Sequence, residues 1–228
     1  MKTIHKICHL KKGAYYAQNE LLKAIKNYAH YINGKTLDVG CGRKPYKSLF
    51  NYSEYIGLDF EGAHDHSNED IDVFYDGKNF PFGDSEFDSV LCTQTLEHVD
   101  NPNDFVKEIH RVLKNEGILL LSVPFIWGEH EKPHDYTRYT SFGLKYLLEQ
   151  TGFDVLEQCK TLQDIRAIYQ LKNFFIFTKE NMNRNRLSKY YHAALLLYNN
   201  IVGTIRYFIN KQRSDIYIDN VIVCRKNK

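Results

Sequence analysis

Apolar positions recur along this chain in two rhythms. Over residues 14–32, Leu21, Leu22, Ile25 and Tyr28 fall at helical spacing, and the pattern stops at Asn33-Gly34, a turn signal. Short apolar runs then predict strands at 36–40 (TLDVG), 55–60 (YIGLDF), 71–75 (IDVFY), 88–92 (DSVLC), 117–123 (GILLLSV) and about 154–160. A helix over 102–114 opens on Asn101-Pro102, a cap with proline in the first turn, and gathers Phe105, Val106, Ile109, Val112 and Leu113 on one face. Another helix fits 140–151 and ends at Gly152. Strands alternating with helices predict an α/β fold, a mostly parallel sheet with helices on both faces. Such sheets bind ligands at the carboxyl ends of their strands.

The last third changes character. Residues 161–182 and 188–210 both predict helices, and the aromatic, β-branched run DIYIDNVIVCRKN predicts a closing strand at about 215–224. The chain is thus expected to be a single domain over 1–228 with a helical insertion at about 161–212. In 190–209, His192, Asn199, Gly203, Arg206 and then Asn210 draw one polar stripe along an apolar helix. That pattern suits a core helix or a homodimer interface, or else a contact with a membrane surface or lipid-linked acceptor.

Composition narrows the classes. Hydrophobic residues at 43% and charged residues at 25% suit a soluble globular protein, and a net charge of +2 gives no pull toward nucleic acid. A late basic run, Lys179, Arg184, Arg186 and Lys189, suits a solvated loop. The five cysteines, Cys8, Cys41, Cys92, Cys159 and Cys224, are scattered without a C-x-x-C pair, which excludes a cysteine zinc site or disulfide framework. No signal-peptide core or clean membrane span is present, so a cytoplasmic protein, at most peripheral to the membrane, is expected.

The chemistry concentrates in Thr36–Pro45, where an apolar strand runs into Gly40-x-Gly42 and a helix can follow. Glycines there allow a sharp turn and close approach to a ligand. Pro45 replaces the third glycine a dinucleotide site wants, which weakens a nicotinamide-dehydrogenase reading. Asp59 ends the next strand, where a carboxylate can take ribose hydroxyls, and Asp76 ends the one after, where it can accept an adenine amine.

The ordered motifs LDVGCG, GLD, FPFGDSEFDSV and TLEHV, within roughly 30–160, resemble the class I S-adenosylmethionine-dependent methyltransferases of the small type 11 kind. The resemblance implies a Rossmann-like, seven-stranded, mostly parallel sheet with an antiparallel last strand, and S-adenosylmethionine as cofactor. It implies that Asp38, Gly40, Cys41 and Gly42 hold the methionine end, that Asp59 and Phe60 meet the ribose, and that Asp76 and Gly77 flank the adenine. Thr93, Gln94 and the next few residues would line the floor beneath the sulfonium.

Residues 129–139, EHEKPHDYTRY, contain His130-Glu131-Lys132-Pro133-His134, which spells the H-E-x-x-H zinc motif. That motif needs both histidines one turn apart on a helix, and Pro133 breaks a helix there. No metal is expected. His64-Asp65-His66 reads as a solvated loop. The wider stretch, from Pro124-Phe125 through His130, Asp135-Tyr136 and Arg138-Tyr139-Thr140 to Gly152-Phe153, resembles a methyltransferase subgroup linked to cell-surface polysaccharide synthesis. This implies a glycan or small-molecule hydroxyl as acceptor. His130 is the candidate general base, with Asp135 or Tyr136 orienting it, and His134, Arg138 and Tyr139 meeting the substrate. Equally, Asp135 and Arg138 can pair simply to shape the loop. His98 is the rival base, or else a buried structural histidine. The other readings are transfer to a carboxylate or amine metabolite, and a non-catalytic cofactor-binding scaffold.

Overall fold

The expected alternation of strands and helices is present in the computed structural model, which describes residues 13–62, 70–177 and 186–227. Seven strands form one sheet: β1 (Asn33–Val39), β2 (Asn51–Phe60), β3 (Val73–Tyr75), β4 (Phe87–Thr93), β5 (Leu113–Pro124), β6 (Phe153–Lys160) and β7 (Asp219–Lys226). Their order is β3-β2-β1-β4-β5-β7-β6. The five strands from β3 to β5 pair in parallel, and the β5-β7-β6 end is antiparallel. The order reverses between β1 and β4, so the carboxyl ends of these two strands flank the crevice where such sheets take ligands. The helices are α1 (Tyr15–Tyr28), α2 (Pro102–Val112), α3 (Ser141–Gln150), α4 (Arg166–Ile176) and α5 (Arg186–Ile209). His64-Asp65-His66, Cys8, Lys179 and Arg184 lie outside the described residues.

Several elements depart from expectation. No helix follows the glycine loop: between Val39 and Asn51 the chain makes only a 3-10 turn at Lys47–Leu49. Lys44 takes φ +48 just before Pro45 and buries its ammonium 2.8 Å from Asp72 Oδ2. Burial works against this charge, but the Asp72 carboxylate outweighs it and holds the Lys44 pKa above its ordinary value. The closing strand starts later than expected, at Asp219, and β5 starts earlier, at Leu113.

Chain contacts group into two units. The first comprises 22–125, 129–159 and 220–227, and holds the sheet core. There α2 buries Phe105, Val106, Ile109 and Val112, each burial contributing about 1.5–3 kcal/mol. Its cap is the expected one: Asn101 Oδ1 accepts the Asp104 N–H. Asp38 lies within β1 at 2% exposure, and its Oδ2 accepts a 2.7 Å hydrogen bond from Tyr55 Oη. Burial pushes its pKa up to about 7.

The second unit comprises 13–21, 126–128 and 160–219, and its core is polar along one seam. Asn173 Nδ2 donates to Asn200 Oδ1 at 2.7 Å, and Asn199 Nδ2 donates to Asn173 Oδ1 at 3.0 Å. Gln170 Oε1 accepts the backbone N–H groups of Tyr16 and Ala17, both at 3.1 Å. A Cβ on Gly203 would stand 2.8 Å from Tyr16 Oη and 2.9 Å from the Tyr169 ring, so only glycine fits that crossing. The polar stripe of α5 therefore faces inward at His192, Asn199 and Gly203, while Arg206 and Asn210 are exposed. The apolar face, with Tyr191, Tyr198, Ile201, Ile205 and Phe208, is the outer one. Among the described residues no helix is long and apolar enough to cross a membrane.

Replacing Asn173 with Ala removes a partner from two buried amides, and it should cost about 1–3 kcal/mol in urea unfolding. A second prediction concerns pH. The folded Asp38 carboxyl keeps its proton up to about pH 7, whereas an unfolded one loses it near about pH 4. Stability from this group is therefore present at low pH and falls as pH rises through that window. Asp38→Asn should flatten the fall in urea midpoint between about pH 4 and about pH 7.

Candidate active site

The site is built on how the chain leaves β1. Gly40 and Gly42 take φ +70 and +46, a region that favours glycine. The N–H groups of Gly40 and Cys41 both donate to Leu58 O, at 2.8 and 3.2 Å, which folds the loop back over the end of β2. A Cβ on Gly40 would overlap the Thr95 side chain. Asp59 Oδ2 accepts the Gly42 N–H at 2.9 Å and its Oδ1 accepts the Phe60 N–H at 2.8 Å, so the carboxylate is fixed at the mouth of the crevice.

A cleft of about 430 Å³ opens there. Ten of the residues expected in the site line it: Gly40, Gly42, Asp59, Phe60, Asp76, Gly77, Gln94, His98, His134 and Tyr136. Asp76 Oδ1 accepts the N–H groups of Lys78 and Asn79 at 2.9 and 3.1 Å, and these two bonds hold its pKa below the ordinary carboxylate value. A Cβ on Gly77 would come within 3.0 Å of the Phe60 ring. Gln94 takes φ +55, pinned to β5 by its N–H to Ser122 O at 2.8 Å and its amide to Ser122 Oγ at 3.2 Å.

Seven expected residues do not line the cleft. Asp38 sits inside the sheet on Tyr55, and Cys41 is buried, its thiol pKa raised by that burial. The Thr93 carbonyl accepts the Thr95 hydroxyl at 3.2 Å. Tyr139 packs on the hydrophobic core, and its carbonyl accepts Asn220 Nδ2 at 2.7 Å. Asp135 and Arg138 pair with each other, Nη2 to Oδ2 at 2.7 Å. Burial alone would raise the Asp135 pKa, but the Arg138 guanidinium outweighs it and holds the carboxyl at about 2. His130 stands behind the lining, its backbone N–H on Asp135 Oδ2 at 2.9 Å and its ring Nδ1 3.5 Å from the same oxygen. Burial lowers its pKa, and neighbouring His98 adds to the effect.

The segment 129–139 is a loop without helix, so the H-E-x-x-H spelling does not become a zinc-peptidase helix. Its backbone is tied to the TLEHV turn, with Tyr136 N–H and Thr137 N–H donating to Glu97 O at 2.9 and 3.3 Å. His98 Nδ1 lies 2.6 Å from His134 O and donates to it, which places the neutral ring's lone pair on Nε2. That Nε2 stands 3.8 Å from Glu97 Oε1 and 3.7 Å from Glu131 Oε2. The His98 and His130 rings meet edge to face, 4.6 Å apart. Thr95, next after Gln94 in the expected floor, also lines the cleft. Sequence reasoning did not select Tyr75, Lys78, Val99, Asp100 and Glu131, which line it too. All five lie within two residues of a position that was selected, and that adjacency was their only signal.

Residues 37–121 match the family model described as a methyltransferase domain. Over 158 residues the chain is 30% identical to the tRNA U34 carboxymethyltransferase of Nautilia profundicola, covering 63% of this chain and 52% of that one. The chain spans about half the length of the curated relatives it matches. Its fold is similar to that of a possible histamine N-methyltransferase from Thermotoga maritima, with TM-score 0.58, 16% identity, and coverage of 94% of this chain and 92% of that one. It is also similar to that of the [4+2]-cyclase SpnF, with TM-score 0.57, 17% identity, and coverage of 91% and 81%. A match to the methyltransferase-domain model thus runs from β1 into β5, within a sheet of order β3-β2-β1-β4-β5-β7-β6.

Proposed function

We propose that this chain is an S-adenosylmethionine-dependent methyltransferase that O-methylates a hydroxyl of a glycan or related small molecule. One observation carries the proposal: a single cleft is bounded both by Gly40, Gly42, Asp59 and Asp76 and by His98, His134 and Tyr136. The first group fits the cofactor. The glycine loop leaves no room for a Cβ at Gly40, the Asp59 carboxylate is fixed where ribose hydroxyls can donate to it, and Asp76 keeps Oδ2 for an adenine amine. The cleft is rich in carboxylates, with Asp59, Asp76, Asp100 and Glu131 against Lys78, which suits a cationic cofactor.

When bound, S-adenosylmethionine supplies a methyl group on a sulfonium that carries its own leaving group. The protein's task is then to position the acceptor, exclude water and receive a proton. His98 suits that last role, because its Nδ1 is held by a carbonyl and Nε2 is the basic nitrogen. His130, set behind the lining, supports His98 rather than facing the acceptor. The acidic cleft disfavours a polyanionic acceptor such as the tRNA for which the Nautilia relative is named, and supports a neutral hydroxyl. Transfer to an amine metabolite is the second reading, favoured by the same carboxylates. The cyclase with this fold makes turnover itself the point to test. The exposed apolar stripe of α5 supports contact with a membrane surface or a lipid-linked acceptor; flotation with liposomes tests it, and a stable dimer that does not float would assign the stripe to self-association instead.

In calorimetry the chain should bind S-adenosylmethionine in preference to NAD, and binding of NAD alone would end this reading. Asp59→Ala should weaken the cofactor by about 10–100-fold, the cost of losing charged hydrogen bonds. With labelled cofactor and a panel of sugar acceptors, His98→Ala should lower turnover by about 10²–10⁴-fold while cofactor affinity holds. No transfer to any acceptor by a chain that binds the cofactor would favour the scaffold.

A further inference from the structure

We propose that Glu97, His98 and His130 form a binding site for one divalent first-row transition-metal ion of the Mn²⁺ or Zn²⁺ kind. One ligand atom from each residue lies within 4.8 Å of the other two. Donors about 2.1 Å from a shared ion lie roughly 3.0–4.2 Å apart, so small side-chain rotations close this set around one. Two imidazoles and a carboxylate make a mixed nitrogen and oxygen donor set, which suits transition metals better than Mg²⁺.

The surroundings orient the donors as a metal site requires. A ligating histidine keeps its other ring nitrogen on a carbonyl or carboxylate, which fixes the tautomer and the ring plane. His98 does so through Nδ1 to His134 O at 2.6 Å. The carboxylate of Asp135, itself clamped by Arg138, holds the His130 backbone and stands 3.5 Å from its ring. Glu97 is fully buried, and its Oε1 stands 3.8 Å from His98 Nε2. The H-E-x-x-H letters thus contribute one histidine, His130, to a site whose other two donors come from the turn after β4. His98 belongs to both the cluster and the cleft wall, so an ion on its Nε2 takes the place of the proton-accepting role and acts instead by making a hydroxyl bound within reach more acidic. That role rests on the methyltransferase reading; the binding itself rests on the donor geometry alone.

The test uses untagged full-length chain, stripped with chelator and titrated with MnCl₂, ZnSO₄ and MgCl₂ by calorimetry and equilibrium dialysis. Wild type should take about one equivalent of Mn²⁺ or Zn²⁺ and hold Mg²⁺ more weakly. Glu97→Gln and His130→Ala should each weaken the transition metal by at least about 10-fold, and Asp135→Asn by about 10–100-fold. S-adenosylmethionine affinity, read on the same samples, reports that each variant is folded; His130→Gln replaces His130→Ala if the latter fails that check. No stoichiometric Mn²⁺ or Zn²⁺ on wild type, or unchanged affinity in Glu97→Gln and His130→Gln, overturns the site. Metal binding by a chain that takes no S-adenosylmethionine would sink the methyltransferase reading and leave the site standing.

Discussion

One carboxylate ties the glycine-loop end of the cleft together. Asp59 takes the N–H of Gly42 with one oxygen and that of its neighbour Phe60 with the other. In many glycine-loop folds a helix begins directly after the loop and holds its amides in place. Here no such helix exists, and the loop's shape rests on short-range bonds instead: Asp59, the Leu58 carbonyl, and the buried Lys44 ammonium on Asp72. Asp72 also accepts the N–H of Gly57, at 2.6 Å, so the same anchors stitch the loop to β2 and to the entry of β3.

The other end of the cleft depends on a different kind of bond. The turn after β4 offers the Glu97 carbonyl, and the loop after β5 docks on it through two backbone N–H groups. His98, from that turn, returns a bond to the loop at His134 O. These crossings bring His98 and His130 together across 32 positions of sequence. The cluster they form with Glu97 is therefore a product of tertiary docking rather than of local spacing.

This sets what could be read from the chain alone. The strands were legible because buried parallel strands are written as unbroken apolar runs, as in Leu119–Leu121 or Val90–Cys92. Gly40, Asp59 and Asp76 were legible because each stands at or just beyond a strand's carboxyl end. Asp38 was drawn into the site by its motif, yet the alternation of β1 turns it into the sheet and onto Tyr55. The stripe on α5 was seen but its direction was not: periodicity shows that two faces differ, and tyrosine-rich faces can stand in water while an asparagine ladder fills a core. Loop pairs such as His98 with His130 leave no trace in spacing, whereas Asp135 with Arg138, three apart, was foreseeable.

The docking of the 129–139 loop divides the work within a single residue. Its two bonds to Glu97 use backbone N–H groups of Tyr136 and Thr137, which every residue but proline provides. The side chain of Tyr136 faces the cleft while its main chain does the anchoring. Exchange of that side chain therefore alters the cleft wall and the Tyr136 Oη contact with His134 Nδ1, while both backbone bonds to Glu97 stay available. The position of the loop and the side chain it shows to the cleft are thus set by different atoms of one residue.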